Sequence, residues 1–476
     1  SGTKLSHLHL PVKINGDVAT FQGINKLLIE MDKEGSVIDW NFLNNYCDGH
    51  KQYLEQLEAT SWDEILQSSG LLMDHIHRAT ELVCKSKSII CCWAMGLTQH
   101  ENAIANIQEV VHFLAIRGNL GRPGSGVCPV RGHSNVQGDR TMGIWERPSS
   151  QFLDNLEKNF NFNPPREPGL NTVEAIQSML DKEAKLMLAM GGNFLSASPD
   201  TNQTAQALQH LDLSVQISTK LNRSHLVTGK QALILPCLGR SEIDIQKHGK
   251  QFQSVENSMG IVHSTQGNLK PASPHLKSEI SIVCELANEI LGNRPVNWME
   301  LREDYNRIRN LISKCIPGFD NYNQKIKQKY GFYLPNPVRD NKEFPTSNGK
   351  VNFFCHSVPQ WKLEKDRYLM MTIRSHDQFN TTIYGLDDRY RGIKGDRRVL
   401  FMNLHDMQDA KLVAEQVINI RSHYKDELRQ VNNFRVIPYE IPRGCCASYF
   451  PEANPLVPLK YNAKGSMTPA SKSIVI

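Results

Sequence analysis

Several features are scarce or missing in this chain, and each gap removes a class of function. The eleven cysteines form no Cys-x-x-Cys, and an odd number cannot all pair. The adjacent pairs Cys91-Cys92 and Cys445-Cys446 lie in apolar or glycine-rich surroundings. They read as reduced packing residues of a cytoplasmic protein, so the chain offers no zinc or iron–sulfur site of its own. No apolar run approaches the ~18 residues of a membrane span, and no signal-peptide core follows Ser1-Gly2-Thr3-Lys4. Charge of one sign is also lacking: 54 basic residues face 49 acidic ones, a net +5 without a long basic run, which argues against nucleic acid as a partner. Internal repeats and low-complexity tracts are absent. With 40% apolar and 22% charged residues in 476, the chain has the composition of a soluble globular protein of roughly two to four domains.

Against this ordinary background, residues 117–143 stand out. Seven of these 27 residues are glycine, four are arginine, and Asn119, Asn135 and Gln137 are interleaved. Glycine lets backbone N–H groups approach a ligand, and arginine grips oxyanions in a fixed fork. A segment so poor in apolar side chains is expected to be built around something it binds. Arg131, between Val130 and Gly132, suits a carboxylate or small oxyanion; composition alone allows a phosphate clamp or a structural ion pair equally well. His133 is a candidate acid or base.

The pattern along the chain predicts α/β architecture: parallel Rossmann-like sheets flanked by helices, then a C-terminal β-barrel. Helical periodicity covers Val18–Met31 and Ser61–Cys84, and Ser88–Trp93 reads as a buried strand. After a turn at Gly96, Thr98 and Glu101 have the spacing of a capping box. Ile104, Ile107, Val111 and Leu114 then form an apolar stripe, and Gly118 ends the helix. A second unit has a strand at Lys185–Met190, the turn Gly191-Gly192-Asn193, and a helix with Ser198 as N-cap and Pro199 first. Strands are expected at Leu213–Thr219 and Ala232–Leu235. In parallel sheets ligands sit at the carboxyl ends of strands, where both glycine turns fall. The second turn is no G-x-G-x-x-G, so a nicotinamide site is not indicated; a plain tight connection explains it as well. Residues 331–350 look like a linker. Beyond it Tyr368–Ile373, Arg397–Asn403, Gln416–Arg421 and Asn433–Tyr439 read as barrel strands. The polar run Arg374-Ser-His-Asp-Gln-Phe-Asn380 leaves the first of these, either as a solvated loop or to read a guanine or phosphate edge. The expected domains are residues 1–135, 136–345 and 355–476.

Several of these stretches resemble one family. Met95-Gly-Leu-Thr-Gln-His100, Gly118-Asn-Leu-Gly-Arg-Pro-Gly-Ser-Gly126 and Arg131-Gly-His-Ser-Asn-Val-Gln-Gly138 are similar to the molybdopterin oxidoreductases of the DMSO reductase superfamily. Within it they most resemble the formate dehydrogenase alpha-subunit branch and its YdeP-type members. Ala189-Met-Gly-Gly-Asn-Phe194 with Ser198-Pro-Asp200, Thr372-Ile-Arg-Ser-His-Asp-Gln-Phe-Asn-Thr-Thr-Ile-Tyr384 and Glu452-Ala-Asn-Pro-Leu456 extend the likeness through nearly the whole chain.

The resemblance implies a molybdenum or tungsten ion held by two molybdopterin guanine dinucleotides. It assigns cofactor contacts to Gly96, Thr98, Gln99, His100, Gly132, Asn135, Gln137, Gly138, Gly191, Asn193, Arg374, His376, Gln378 and Asn454. Arg131 matches the arginine that holds the carboxylate of formate, and His133 would relay a proton. It implies two-electron chemistry on a small, formate-like anion, with an electron-transfer partner. Two departures are evident. The family's iron–sulfur cysteines and metal-ligand segment have no counterpart, so the chain matches the C-terminal part of the pattern. A 4Fe-4S cluster is expected only from the preceding part, and the chain alone is expected to be inactive. Formate enzymes also carry glutamine where His133 stands, which keeps open another oxyanion reductase on the same scaffold or a non-catalytic cofactor-binding relative.

Overall fold

The computed structural model describes residues 5–476 apart from 34, 36, 131, 134, 382 and 426. The chain divides into two compact units. The first comprises residues 1–129, 197–202 and 336–476; the second comprises 130–196 and 203–335.

The first unit opens with a helical layer. The expected first helix forms as Asp17–Asp32. The expected second one is split into Trp62–Ser69 and Met73–Lys85. The break lies at Gly70, whose left-handed φ of +71° lets its N–H cap Leu66. Periodicity alone ran through this glycine. The expected buried strand forms as Ile90–Trp93 but is not buried, with Ile90 and Cys92 exposed; it pairs in parallel with Gly126–Pro129, and the helix between them spans Ala103–Ile116.

That helix starts later than its spacing suggested. Its N-cap is Asn102, so Thr98 and Glu101 do not form the expected capping box; Glu101 instead pairs with Lys464 at 3.6 Å. The buried face is also rotated: Ile104 is exposed, whereas Ala103, Asn106, Val110 and Phe113 are inside. The cause is a buried polar network that hydropathy could not reveal. Tyr53 donates its hydroxyl to Glu109 at 2.5 Å, and Gln22 donates to the other carboxylate oxygen at 2.9 Å. The C-terminal end is as expected. Gly118 takes φ +59°, its N–H bonds Ala115 O, and Asn119 N–H bonds Leu114 O, a paired closure of the last turn.

The last part of this unit is a six-stranded, barrel-like sheet. Its order is Val417–Tyr424, Glu427–Pro438, Val399–Met402, Cys445–Tyr449, Leu369–Ile373 and Ile474–Val475. Four strands match the expected ones. Cys445–Tyr449 and Ile474–Val475 are additional strands, the first containing the cysteine pair read as packing. The pair is indeed packing, since every residue of Cys445–Tyr449 is buried.

In the second unit, Leu186–Met190, Leu213–Ser218 and Gln231–Pro236 form a parallel sheet with Leu213–Ser218 in the middle. The central strand is buried at five of its six positions, as its run Leu-Ser-Val-Gln-Ile-Ser does not announce. Here the structure adds an antiparallel sheet, Gln253–Glu256, Ile261–Thr265 and Phe332–Tyr333. The supposed linker therefore contributes a strand, because Phe332 is needed in a core with Phe319 and Tyr322. The segment after Ser198 also differs: the helix begins at Thr201, and Pro199 lies before it. All eleven cysteines are free thiols, and no described helix is long and apolar enough to cross a membrane.

Candidate functional site

In the first unit, the strand Ile90–Trp93 runs into the short helix Met95–Thr98. Gln99 and His100 follow and are pinned by a distant stretch of chain. Gln99 O accepts from Lys472 N at 3.0 Å, and Gln99 Oε1 accepts from Ser471 Oγ at 2.7 Å. Ser471 O in turn accepts from Thr372 N at 3.0 Å, on the strand Leu369–Ile373 that leads into Arg374. Three segments far apart in sequence thus place Gln99, His100, Lys472 and Arg374 in one region.

The electrostatics of this region are one-sided. Lys472 Nζ donates to Thr372 O, and burial with the nearby Arg374 charge pushes its ammonium down to about 8. Burial also lowers Arg374 below its ordinary range. Its guanidinium makes one side-chain bond, to Asn380 at 3.3 Å, and lies over the Phe450 ring. Among the described residues, no carboxylate pairs with either cation. Burial pushes the His100 imidazole down to about 4, against a backbone contact at Gly96 that raises it; the Lys472 charge lowers it further. His100 Nδ1 is buried without a partner. Two cations without an acid and an orphaned ring nitrogen match an anionic, hydrogen-bonding ligand.

The polar run after Arg374 has a different fate. Gln378 Oε1 accepts from Ser375 N at 3.0 Å and from Arg397 at 2.9 Å, while its Nε2 donates to Asn380 O and Phe450 O. His376 is exposed, 3.4 Å from Asp388 and tilted against Tyr390. Asp388 also receives Tyr449 and Arg391; burial would raise its carboxyl, but these bonds outweigh it and hold it below the usual range. Asn454 is buried on a short 3-10 turn, Nδ2 3.3 Å from Ser198 O. Gly96 is exposed, with no atom within 4 Å of a would-be Cβ, and Thr98 ends its short helix.

The remaining expected residues lie in the second unit. Gly132 and His133 are exposed. Asn135 Oδ1 accepts from Glu256 N at 2.9 Å, and Gln137 donates to Glu256 O, so both amides fasten the helix Val136–Thr141 to the strand Gln253–Glu256. Gln137 Oε1 remains buried without a partner. Gly138 has no room for a side chain, since a Cβ would meet Asn135 Oδ1 at 2.2 Å. Gly191 and Gly192 take left-handed φ values of +66° and +75° at the carboxyl end of Leu186–Met190. They border a cavity of about 330 Å³, open to solvent and also lined by Phe194, Gln216 and Ser224. Asn193 is buried beside it, accepting from Ser224 at 3.1 Å. Arg131 lies outside the described residues.

A larger cavity, about 410 Å³, contains none of the expected residues. Two of its carboxylates are already engaged: Glu242 by the N–H groups of Gly239 and Ala272, Asp244 by Tyr305. Lys472 is the site residue that sequence reading missed. A lysine in Ala-Ser-Lys-Ser near the end of the chain carries no motif; its signal is purely spatial.

With this geometry in view, comparison with known proteins is informative. No protein-family model matches the chain. An uncharacterized oxidoreductase of Mycobacterium tuberculosis is 45% identical over 483 residues, covering all of this chain and 62% of the relative. Protein YdeP of Escherichia coli is 39% identical, covering all of this chain and 64% of YdeP. Formate dehydrogenase H of E. coli is 22% identical over 77% of this chain and 51% of its own length. Among solved structures, acetylene hydratase from Pelobacter acetylenicus shares the fold with a TM-score of 0.64 at 15% identity, over 98% of this chain and 67% of that one. Over its whole length the chain is therefore similar to the M. tuberculosis oxidoreductase and to YdeP, more distantly to formate dehydrogenase H, and it shares the fold of acetylene hydratase. It spans less than two thirds of the length of the M. tuberculosis relative and of YdeP.

Proposed function

We propose that the protein to which this chain belongs is a molybdenum bis(molybdopterin guanine dinucleotide) oxidoreductase acting on a small, formate-like anion. The observation that carries this reading is the group formed by Arg374, Lys472 and His100: two cations with no acidic partner among the described residues, beside the unpartnered Nδ1 of a buried ring. Such a donor set fits the pyrophosphate and purine edge of a dinucleotide, so the residues present fit the group. The cofactor, when bound, supplies the two-electron redox centre.

What this chain's residues do is bind and orient. Arg374 and Lys472 neutralise phosphate charge, and Gln99 and His100 offer hydrogen bonds at the end of a strand. In the second unit Gly191, Gly192 and Asn193 shape another strand-end turn for the same class of ligand, with Gly132 and Gly138 as further contacts and Asn135 and Gln137 as positioning residues; in the first unit Gly96, Thr98, His376 and Asn454 are further contacts. Gln378 acts through Arg397 as a positioning residue. Arg131 would anchor the substrate anion and His133 would hold or pass a proton. A soluble cytoplasmic protein with a separate electron-transfer partner completes the reading.

Metal and pterin analysis of the full natural protein tests it. One molybdenum and two pterins per chain, with dye-linked formate turnover, are expected. Metal and pterin with turnover of nitrate or a sulfoxide instead of formate would keep the cofactor and replace the substrate; their absence from a folded protein would overturn the whole reading. Fold likeness alone does not choose among these.

A further inference from the structure

The strands Ile90–Trp93 and Gly126–Pro129 run parallel and in register, with Cys92 directly opposite Cys128. Side chains at facing positions of neighbouring strands project to the same side, and neighbouring strands lie about 4.7–4.9 Å apart. That spacing falls within the ~4.4–6.8 Å between Cα atoms that a disulfide accepts. Cys92 is exposed and Cys128 partly so. Cys91 alternates to the other face, packs against the helical core, and is pushed up to about 12 by burial. Two sulfurs therefore share this face, too few for a metal, and no described group of three metal-binding side chains exists.

We propose that Cys92 and Cys128 form a redox-responsive dithiol that closes into a cross-strand disulfide by exchange with a low-molecular-weight disulfide such as oxidised glutathione. One cysteine thiolate attacks a sulfur of the small disulfide, forming a mixed disulfide and releasing one small thiolate. The second cysteine thiolate then attacks the cysteine sulfur of that mixed disulfide and expels the other. Cys92 and Cys128 are oxidised by two electrons, the small disulfide is reduced to two thiols, and the two cysteine protons end on them. Burial and the facing Cys128 sulfur raise the Cys92 thiol above its ordinary range, so exchange accelerates as pH rises. The link would tie together two strands, one of which runs directly into the Gln99–His100 turn. In a cytoplasmic protein such a bond is transient and responsive, not structural. This inference does not depend on the cofactor reading.

Peptide mapping of the intact chain tests it. The chain is incubated with oxidised glutathione, its remaining thiols are blocked with N-ethylmaleimide, and the tryptic digest is analysed by mass spectrometry without reduction. Trypsin yields peptides 88–117 and 118–131, which carry only Cys91, Cys92 and Cys128. A disulfide between these peptides is expected, with fragmentation placing it on Cys92. It should vanish in C92S and C128S, persist in C91S and reverse with dithiothreitol. Separate N-ethylmaleimide or glutathione adducts on Cys92 and Cys128 without a linked pair would overturn the proposal. So would a link placed on Cys91, and the wild-type digest decides either point even where a variant fails to fold.

Discussion

Arg374 and Arg397 belong to the same unit, yet they are used in opposite ways. Arg397, 2% exposed, is fully committed: its guanidinium pairs with Glu452 at 2.8 Å, bonds Ser375, Gln378 and Phe450 O, and lies between the rings of Tyr384 and Tyr449. Arg374 has one side-chain bond and a ring beneath it, with a second cation nearby. A buried charge whose every donor is engaged holds a structure together. A partly buried charge left without an acid marks where something else belongs. The comparison separates framework from site inside one unit, where residue type alone made them look alike.

The largest expected effect is at the framework residue. Arg397→Met leaves the Glu452 carboxylate and the Gln378 and Phe450 oxygens without their donor. Loss of a buried partner of this kind costs about 3–5 kcal/mol, which chemical denaturation of the chain will read; an unchanged midpoint would break the contrast. Arg374→Ala should do the reverse. Stability is expected to shift by no more than about 0.5 kcal/mol, while affinity for GDP, a probe with the pyrophosphate of the proposed ligand, falls by about 10–100-fold in calorimetric titration.

A third prediction concerns pH. The Lys472 ammonium titrates at about 8 in the fold, below the ordinary 10.5. Its proton is therefore lost in the fold before it is lost in the unfolded chain. Fold stability consequently rises as pH increases between those two values, because there the unfolded chain binds more protons. GDP affinity runs the other way, falling above pH 8 by up to about tenfold per pH unit as the cation disappears. Lys472→Arg keeps its charge and should flatten that decline. A decline of equal steepness in the variant would place its origin elsewhere. The smallest effect is expected at His376, exposed beside Asp388: His376→Ala should change stability by less than about 1 kcal/mol in thermal melts.

Much of this architecture was legible before any coordinates. The helix at Asp17–Asp32, the strand–turn–helix leading to Gly118 and the three parallel strands of the second unit follow from periodicity and glycine placement. What was misread has a common cause. The Thr98/Glu101 spacing was overridden because Gln99 pairs with Ser471 and Lys472. The apolar stripe was rotated because Glu109 and Asn106 are buried with partners from other helices. The linker proved to hold a strand because Phe332 completes a distant aromatic core.

The candidate site divides in the same way. Arg374, His100 and Gln99 could be singled out because motifs keep them together with glycine and amide neighbours. Lys472 could not, and the structural commitment of Gln378, Asn135 and Gln137 was equally hidden. Local sequence decides which residues are able to bind, since charge, hydrogen-bonding capacity and backbone freedom belong to the residue itself. Which of them remain available is decided only by the tertiary fold, because a partner that satisfies or orphans a polar group usually comes from far away in the chain. For this protein, then, the sequence by itself determined the α/β-plus-barrel plan and carried the likeness to molybdopterin oxidoreductases; the division of its polar residues into framework and site was made by folding.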